Sequence, residues 1–262
     1  MASTRRKLWL IGIVAGSVIL MVGPYATAKD MKGKFGIGGN IGYALMDIKG
    51  VNEWLDICDE RVATIITEWE TTAKEHLEGD VAYLGGIKYG LTSSLMLTAS
   101  GGAISSKGKY AATGPTEVEI NDKVSATFFG GGVQYILRGG ENLNIFLEGG
   151  ADYYGVKYEE ISTENHRIDL PEQQRIAEGS TIGFRVGGGL DYFFSNNIAI
   201  GLNLFYRMAK VPELETKRDD WGLSKEGEPI KVYTEPDFSD SKILEIDLSG
   251  VHIYLTVYFF FR

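Results

Sequence analysis

Three histidines, His76, His166 and His252, and one cysteine, Cys58, are the side chains of this 262-residue chain best suited to acid–base or nucleophilic chemistry. No sequence pattern organises them for it. There is no Cys/His cluster at zinc-ligand spacing, and a single cysteine cannot close an intrachain disulfide. Cys58 therefore reads as a small apolar residue, and His166, in Glu164-Asn165-His166-Arg167, as a solvated loop residue. The glycines between 183 and 189 have the flavour of a nucleotide-binding fingerprint, but they lie inside an alternating stretch with no helix after it. No cofactor, metal or catalytic set is expected.

Six charges are more informative: Lys88, Glu148, Asp152, Arg185, Asp191 and Arg207. Each lies in a stretch that alternates apolar with small or polar residues, and each falls opposite the apolar row. Ile145, Leu147, Ala151 and Tyr153 oppose Glu148 and Asp152. Ile182, Phe184, Val186, Leu190, Tyr192 and Phe194 oppose Arg185 and Asp191, and Ile198, Ile200, Leu202, Leu204 and Tyr206 oppose Asn203 and Arg207. Strict alternation marks strands, and this segregation means that their two faces meet different surroundings. An arginine or lysine facing lipid at the midplane of a membrane barrel costs about 2–4 kcal/mol. Three cations and three anions inside a narrow barrel could instead neutralise one another, since an unmatched buried charge is heavily penalised. A paired network across a lumen closed at mid-height is the expectation.

Alternation places strands at 35–45, 81–89, 95–104, 125–137, 144–154, 181–194 and 198–208, with a last one from about 244. Long connections at 50–80, 105–123, 159–179 and 209–242 alternate with short ones at 90–94, 138–142 and 195–197. That order predicts an all-β fold, an eight-stranded antiparallel up-and-down transmembrane β-barrel with long loops outside and both termini in the periplasm. Eight strands leave an interior wide enough only for side chains or one small ligand, too narrow for a general porin. Thirty-four glycines, 14 tyrosines and 12 phenylalanines against six prolines suit tightly coiled aromatic strands.

Two stretches break the alternation. Val51, Leu55, Cys58, Val62, Ile66, Trp69, Ala73 and Leu77 recur every three or four residues, which predicts an amphipathic helix over residues 51–77 in the first extracellular loop. The β-branched run Thr64-Ile65-Ile66-Thr67 leaves a strand extension open there. Near the end, Leu244, Ile246 and Leu248 are apolar at even positions, whereas from Val251 onward the odd ones are. A β-bulge at Gly250 would shift the phase in this way.

The chain starts with Arg5-Arg6-Lys7, an apolar run from 8 to 22, and Ala26-Thr27-Ala28, the layout of a signal peptide. The run is short for the ~20 residues of a spanning helix. The expected organisation is a signal peptide over residues 1–28 and a single barrel domain over 29–262. Losing three positive charges would take the formal net charge from -9 to -12, a poor balance for binding nucleic acid.

The odd row Val251, Ile253, Leu255, Val257, Phe259 and Phe261, followed by Arg262, resembles the closing strand of bacterial outer-membrane barrels, whose terminal aromatic is an assembly signal. Glycine-rich strands such as Gly183-Phe184-Arg185-Val186-Gly187-Gly188-Gly189-Leu190-Asp191-Tyr192-Phe193-Phe194 extend the likeness. From about residue 33 the chain resembles the small outer-membrane β-barrel superfamily of OmpA-like, OmpX-like and OmpW-like proteins. That resemblance implies an outer-membrane location and contacts with outer-membrane lipids and lipopolysaccharide. It also implies insertion by the barrel-assembly machinery through the C-terminal strand, and a monomer. The role it implies is non-enzymatic, structural or surface-interacting through the long loops, or else an OmpW-like passage for small hydrophobic molecules. Small-barrel lipid A deacylases pair a histidine with a nearby serine; Tyr254 stands where a His252-x-Ser pattern would need serine, so a lipid-modifying enzyme is the least favoured reading.

Overall fold

The computed structural model describes residues 29–46, 48–64, 68–140, 142–165, 172–237 and 239–261; the expected signal peptide and His166 lie outside them. Eight strands form a closed ring: β1 (Phe35–Met46), β3 (Gly79–Gly90), β4 (Leu95–Thr113), β5 (Glu117–Gly140), β6 (Leu143–Asn165), β7 (Gln173–Phe193), β8 (Ile198–Met208) and β14 (Gly250–Phe261). Each pairs antiparallel with the next, and β14 returns to pair with β1, Phe35 opposite Phe261 and Met46 opposite Gly250. Closure removes the sheet edges, which a membrane barrel requires.

The apolar rows point outward. Ile37, Tyr83, Phe129, Ile182, Leu202 and Leu255 are among the large exposed side chains of the wall. One aromatic belt holds Tyr43, Tyr83, Phe129, Tyr153, Phe184 and Tyr206, and a second, towards the short turns, holds Phe35, Tyr89, Tyr135, Tyr192, Phe194 and Phe261. Paired belts around an apolar band are the outer signature of these barrels. Inside, the rings of β14 lie on bare backbone: a Cβ at Gly38 would come within 2.6 Å of the Tyr258 ring. Glycine is there because the aromatic needs the space.

The wall is taller than the sequence suggested. The segments 105–123 and 159–179 are largely continuations of β4–β7; the turn between β4 and β5 is only 114–116. Pairing continues, but the outer face turns polar, with Lys109 bridging to Glu119 at 2.9 Å and Lys157 to Glu159 at 2.7 Å. A strand needs about 9–11 residues to cross the bilayer, and β5 has 24. Beyond the membrane its outer face meets water, so the apolar–polar contrast between the two faces vanishes while the ladder goes on.

The expected helix is present but shorter. Helix α1 spans Lys49–Thr64 and buries Val51, Asn52, Trp54, Leu55, Cys58 and Val62. Trp69, Ala73 and Leu77 are not part of it. Strand β2 (Glu70–Glu75) instead pairs with the upper end of β4, Glu70 opposite Thr113. An unpaired strand edge above the membrane attracts such an addition. Asn52 ties the return to the helix, donating to the Leu77 carbonyl at 3.1 Å and accepting from the Leu77 amide at 2.8 Å.

The last long connection carries β9 (Lys210–Val211), β10 (Glu215–Asp219), β11 (Lys231–Tyr233), β12 (Ser241–Ile243) and β13 (Ile246–Asp247). Here the expected bulge at Gly250 is replaced by a break between elements. β13 pairs with β9, and β14 runs in regular register with β1 and β8. Leu244, Ile246 and Leu248 are buried in the extracellular core, whereas the odd residues from Ile253 face lipid. The phase shifts because the apolar partner changes from protein to bilayer.

The boundary between lipid-facing and water-facing wall is testable. Leu202→Arg is expected to cost about 2–4 kcal/mol of folding stability in vesicles. Ser125→Arg, outward but above the belt, should stay within about 0.5 kcal/mol. Equal losses in urea titrations would remove this boundary.

Candidate functional site

The barrel has three filled levels, and the six charges expected from the sequence occupy the middle one. All six are buried. Lys88 Nζ lies 3.1 Å from Asp191 Oδ2 and 4.3 Å above the centre of the Tyr258 ring. Arg185 spans two acids, with Nη2 3.2 Å from Glu148 Oε1 and Nη1 donating to Asp152 Oδ1. Thr98 Oγ1 adds a 3.0 Å hydrogen bond to Glu148. Forked guanidinium geometry suits this bridging.

Arg207 departs from the expected pairing. Among the described residues no carboxylate lies within ion-pair distance of it; Nη1 donates to the Tyr154 hydroxyl at 3.3 Å, and the guanidinium lies 4.2 Å from the Phe128 ring centre. Aromatic faces substitute for the missing carboxylate. His252, one strand away, has Nδ1 3.0 Å from the Tyr254 hydroxyl and is fully buried. Between these groups remains a cavity of about 30 Å³ lined by Asn40, Ser100, Glu148, Asn203 and their neighbours, room for one or two water molecules.

Below the charges, towards the short turns, Met31, Met96, Ile136, Phe146, Phe193, Ala199, Tyr258 and Phe260 form an apolar cluster. Met31 arrives from the segment before β1, which is held by Lys29 N donating to Asn144 Oδ1 at 3.0 Å and Gly33 N to Gly90 O at 2.8 Å. Above the charges, helix α1 and the short strands fill the space within the tall β4–β7 wall. Val51, Trp54, Leu55, Cys58, Tyr110, Ile120, Val124, Val211, Leu214 and Ile230 are among the members of one continuous core. Trp54 meets Trp221 and Tyr233 at ring-centre distances of 5.7 and 6.2 Å.

That upper core encloses a second polar row absent from the sequence reading. Asp122, Glu160 and Arg175 are directly paired across β5, β6 and β7, all side chains inward. Tyr158 stands beside them and Asp219 lies 3.4 Å from Arg175 Nε. Their signal was in the sequence: Asp122 and Glu160 continue the even inward rows of β5 and β6, and Arg175 the odd one of β7. The rows opposite them are polar, so the alternation that marks a strand is missing there. Elsewhere on the cap, His76 Nε2 is 3.0 Å from Asp56, which also accepts Lys74 at 2.7 Å, a solvent-facing cluster on α1 and β2. Among the described residues no group of His, Cys, Asp and Glu side chains is arranged to hold a metal ion.

Compared with known proteins, the sequence matches the family described as outer membrane protein beta-barrel domain over residues 13–224. The chain belongs to that family. It is accordingly an outer-membrane protein, in keeping with the closed ring and its belts. No curated protein matches the sequence. Solved structures with a similar fold include the outer membrane protein OprG from Pseudomonas aeruginosa, at 10% identity, 91% coverage of this chain, 100% of that one, and a TM-score of 0.48. Ail, the attachment invasion locus protein of Yersinia pestis, solved with the heparin analogue sucrose octasulfate, is 11% identical over 88% of this chain and all of its own, with a TM-score of 0.39. AlkL, solved in DMPC bilayers, is 14% identical over 92% of this chain and 96% of its own, with a TM-score of 0.38.

Proposed function

We propose that this family member is a non-enzymatic, monomeric outer-membrane barrel that works through its folded extracellular cap rather than through its lumen. The filling of the interior supports this reading. An apolar plug, a charge layer and the α1 core follow one another along the axis, and the cavity lined by Asn40, Ser100 and Glu148 among them holds about 30 Å³. A transport pore would need an interior from which side chains had withdrawn. The cap, in contrast, commits long strand extensions and a helix to a fixed surface, as presenting a face to a partner requires. Lipid and lipopolysaccharide would surround the wall, and the apolar row of β14 would guide assembly.

A second reading, passage of small hydrophobic molecules, draws on the wall beside the lumen. Gly39, Gly85 and Gly101 stand side by side on the outer face of β1, β3 and β4 in a groove of about 570 Å³, and Asn40 and Leu84 line both this groove and the central cavity. Two experiments separate the readings. The purified protein in planar bilayers is expected to give no steady conductance; large, weakly selective currents would end the closed-lumen proposal. Vesicles loaded with an apolar fluorophore should exchange it no faster with the protein than without; accelerated exchange abolished by Gly85→Leu would favour passage.

A further inference from the structure

We propose that Asp122 is held as the neutral acid at neutral pH, forming the protonated end of a buried relay, Asp122–Tyr158–Glu160–Arg175, that latches the extracellular cap and releases it as pH rises. The Tyr158 hydroxyl lies 2.7 Å from Asp122 Oδ1 and 2.7 Å from Glu160 Oε2. A phenol has one proton to donate. Both contacts are of hydrogen-bond length, so one of the two carboxyl groups must bring a proton of its own. Glu160 Oε2 also accepts from Arg175 Nη1 at 3.2 Å, which makes it the carboxylate. Each acid has one oxygen without a hydrogen-bond partner among the described residues, but only Glu160 has a cation within ion-pair distance. The proton therefore resides on Asp122, Tyr158 accepts it and donates onward to Glu160, and Arg175 closes the chain.

Around Asp122 the acids contributed by the packed elements outweigh the one cation, Arg175, that opposes them. β6 contributes Glu160 and Tyr158, β7 contributes Arg175, and β10 contributes Asp219, whose oxygens also accept the amides of Trp221 at 3.0 Å and Ser224 at 2.8 Å. Helix α1 contributes Cys58 and Arg61, and the Tyr110 hydroxyl of β4 is directed at the Cys58 carbonyl, 3.2 Å away. With all acids ionised, three carboxylates would face Arg175 as their one fully buried cation, in a core where unmatched charge is costly. Burial first, and then the charge of Glu160, pushes the Asp122 carboxyl well above the usual carboxylate range. Burial and the two carboxyls push the Tyr158 phenol up as well, so it keeps its proton.

The row acts as a latch because of what it joins. Arg175 reaches from the wall to the Lys231 carbonyl and lies 5.4 Å from the Trp221 ring centre, while Trp221 packs on Trp54 of α1. Opening the cap exposes Asp122 to water, where its pKa returns to about 3.9. An acid with a raised pKa in the closed state stabilises that state fully below the open-state value, and the stabilisation is lost as pH climbs through the closed-state value. Between the two, the opening constant rises about tenfold per pH unit.

Cys58, the only cysteine and buried in the cap, is a built-in reporter. The full-length protein, folded in lipid vesicles, is labelled with a small maleimide from pH 5 to pH 8, alongside Asp122→Asn. The asparagine is isosteric and can donate to Tyr158 but cannot ionise, so it corrects for the rise of thiolate with pH. The wild-type to variant ratio of labelling rates is expected to be about ten at pH 5, about one unit above the open-state value, and to climb by about tenfold per unit from there. A flat ratio overturns the proposal, as does fast labelling of the variant at pH 5 with the barrel still intact by unheated gel mobility. Infrared spectra of the wild-type protein give an independent reading should the variant fail to assemble. A protonated-carboxyl stretch present at pH 7 and lost on alkaline titration is expected, and its absence at pH 7 also overturns the proposal.

Discussion

Arg185→Met is expected to destabilise the folded barrel by roughly 3–5 kcal/mol, the usual cost of removing one partner from a buried ionic group. Arg185 stands between Glu148 and Asp152 in the middle of the lumen, and its loss leaves two buried carboxylates without the cation that bridges them. Methionine restores much of the volume but none of the charge. Adding Glu148→Gln and Asp152→Asn should recover a large part of the loss, because neutral amides no longer need the cation; the recovery measures coupling as a mutant cycle does. Urea titration in detergent or vesicles checks both steps. A single-variant loss under about 1 kcal/mol would mean that water reaches this layer freely, and the closed lumen would fall with it.

Trp54→Ala is expected to cost the cap about 3–5 kcal/mol, the range for emptying a large buried aromatic site, while the transmembrane ring stays folded. Trp54 is fully buried and joins α1 to Trp221 and Tyr233 on the last long connection. The ring below it depends on strand pairing and on its own two inner layers, so the two parts should open separately. Hydrogen exchange should accelerate over residues 49–64 and 231–243 and stay slow in β1 and β14. Exchange that rises equally in β1 and β14 would show instead that cap and barrel unfold as one unit.

The sequence by itself determined the membrane part of this protein. Where one face meets lipid and the other a packed interior, each residue type is sorted at high energetic cost, so the strand phases, the inward direction of Lys88, Glu148, Asp152, Arg185, Asp191 and Arg207, and the order of short and long connections are written as strict alternation. Above the membrane both faces tolerate polar residues. The continuations of β4–β7, with Asp122, Glu160 and Arg175 in them, therefore read as loops. Helix α1 was legible to Val62 because its buried stripe is local; that residues 70–75 form a strand instead of continuing it was decided by the open edge of β4, a distant part of the chain. Pairing partners were likewise decided in three dimensions. Nothing in the order of residues states that Lys88 meets Asp191, or that Arg207 meets Tyr154 and Phe128 instead of a carboxylate. Those choices depend on the stagger of strands around a closed ring, which brings residues 53 to 103 positions apart to within a hydrogen bond.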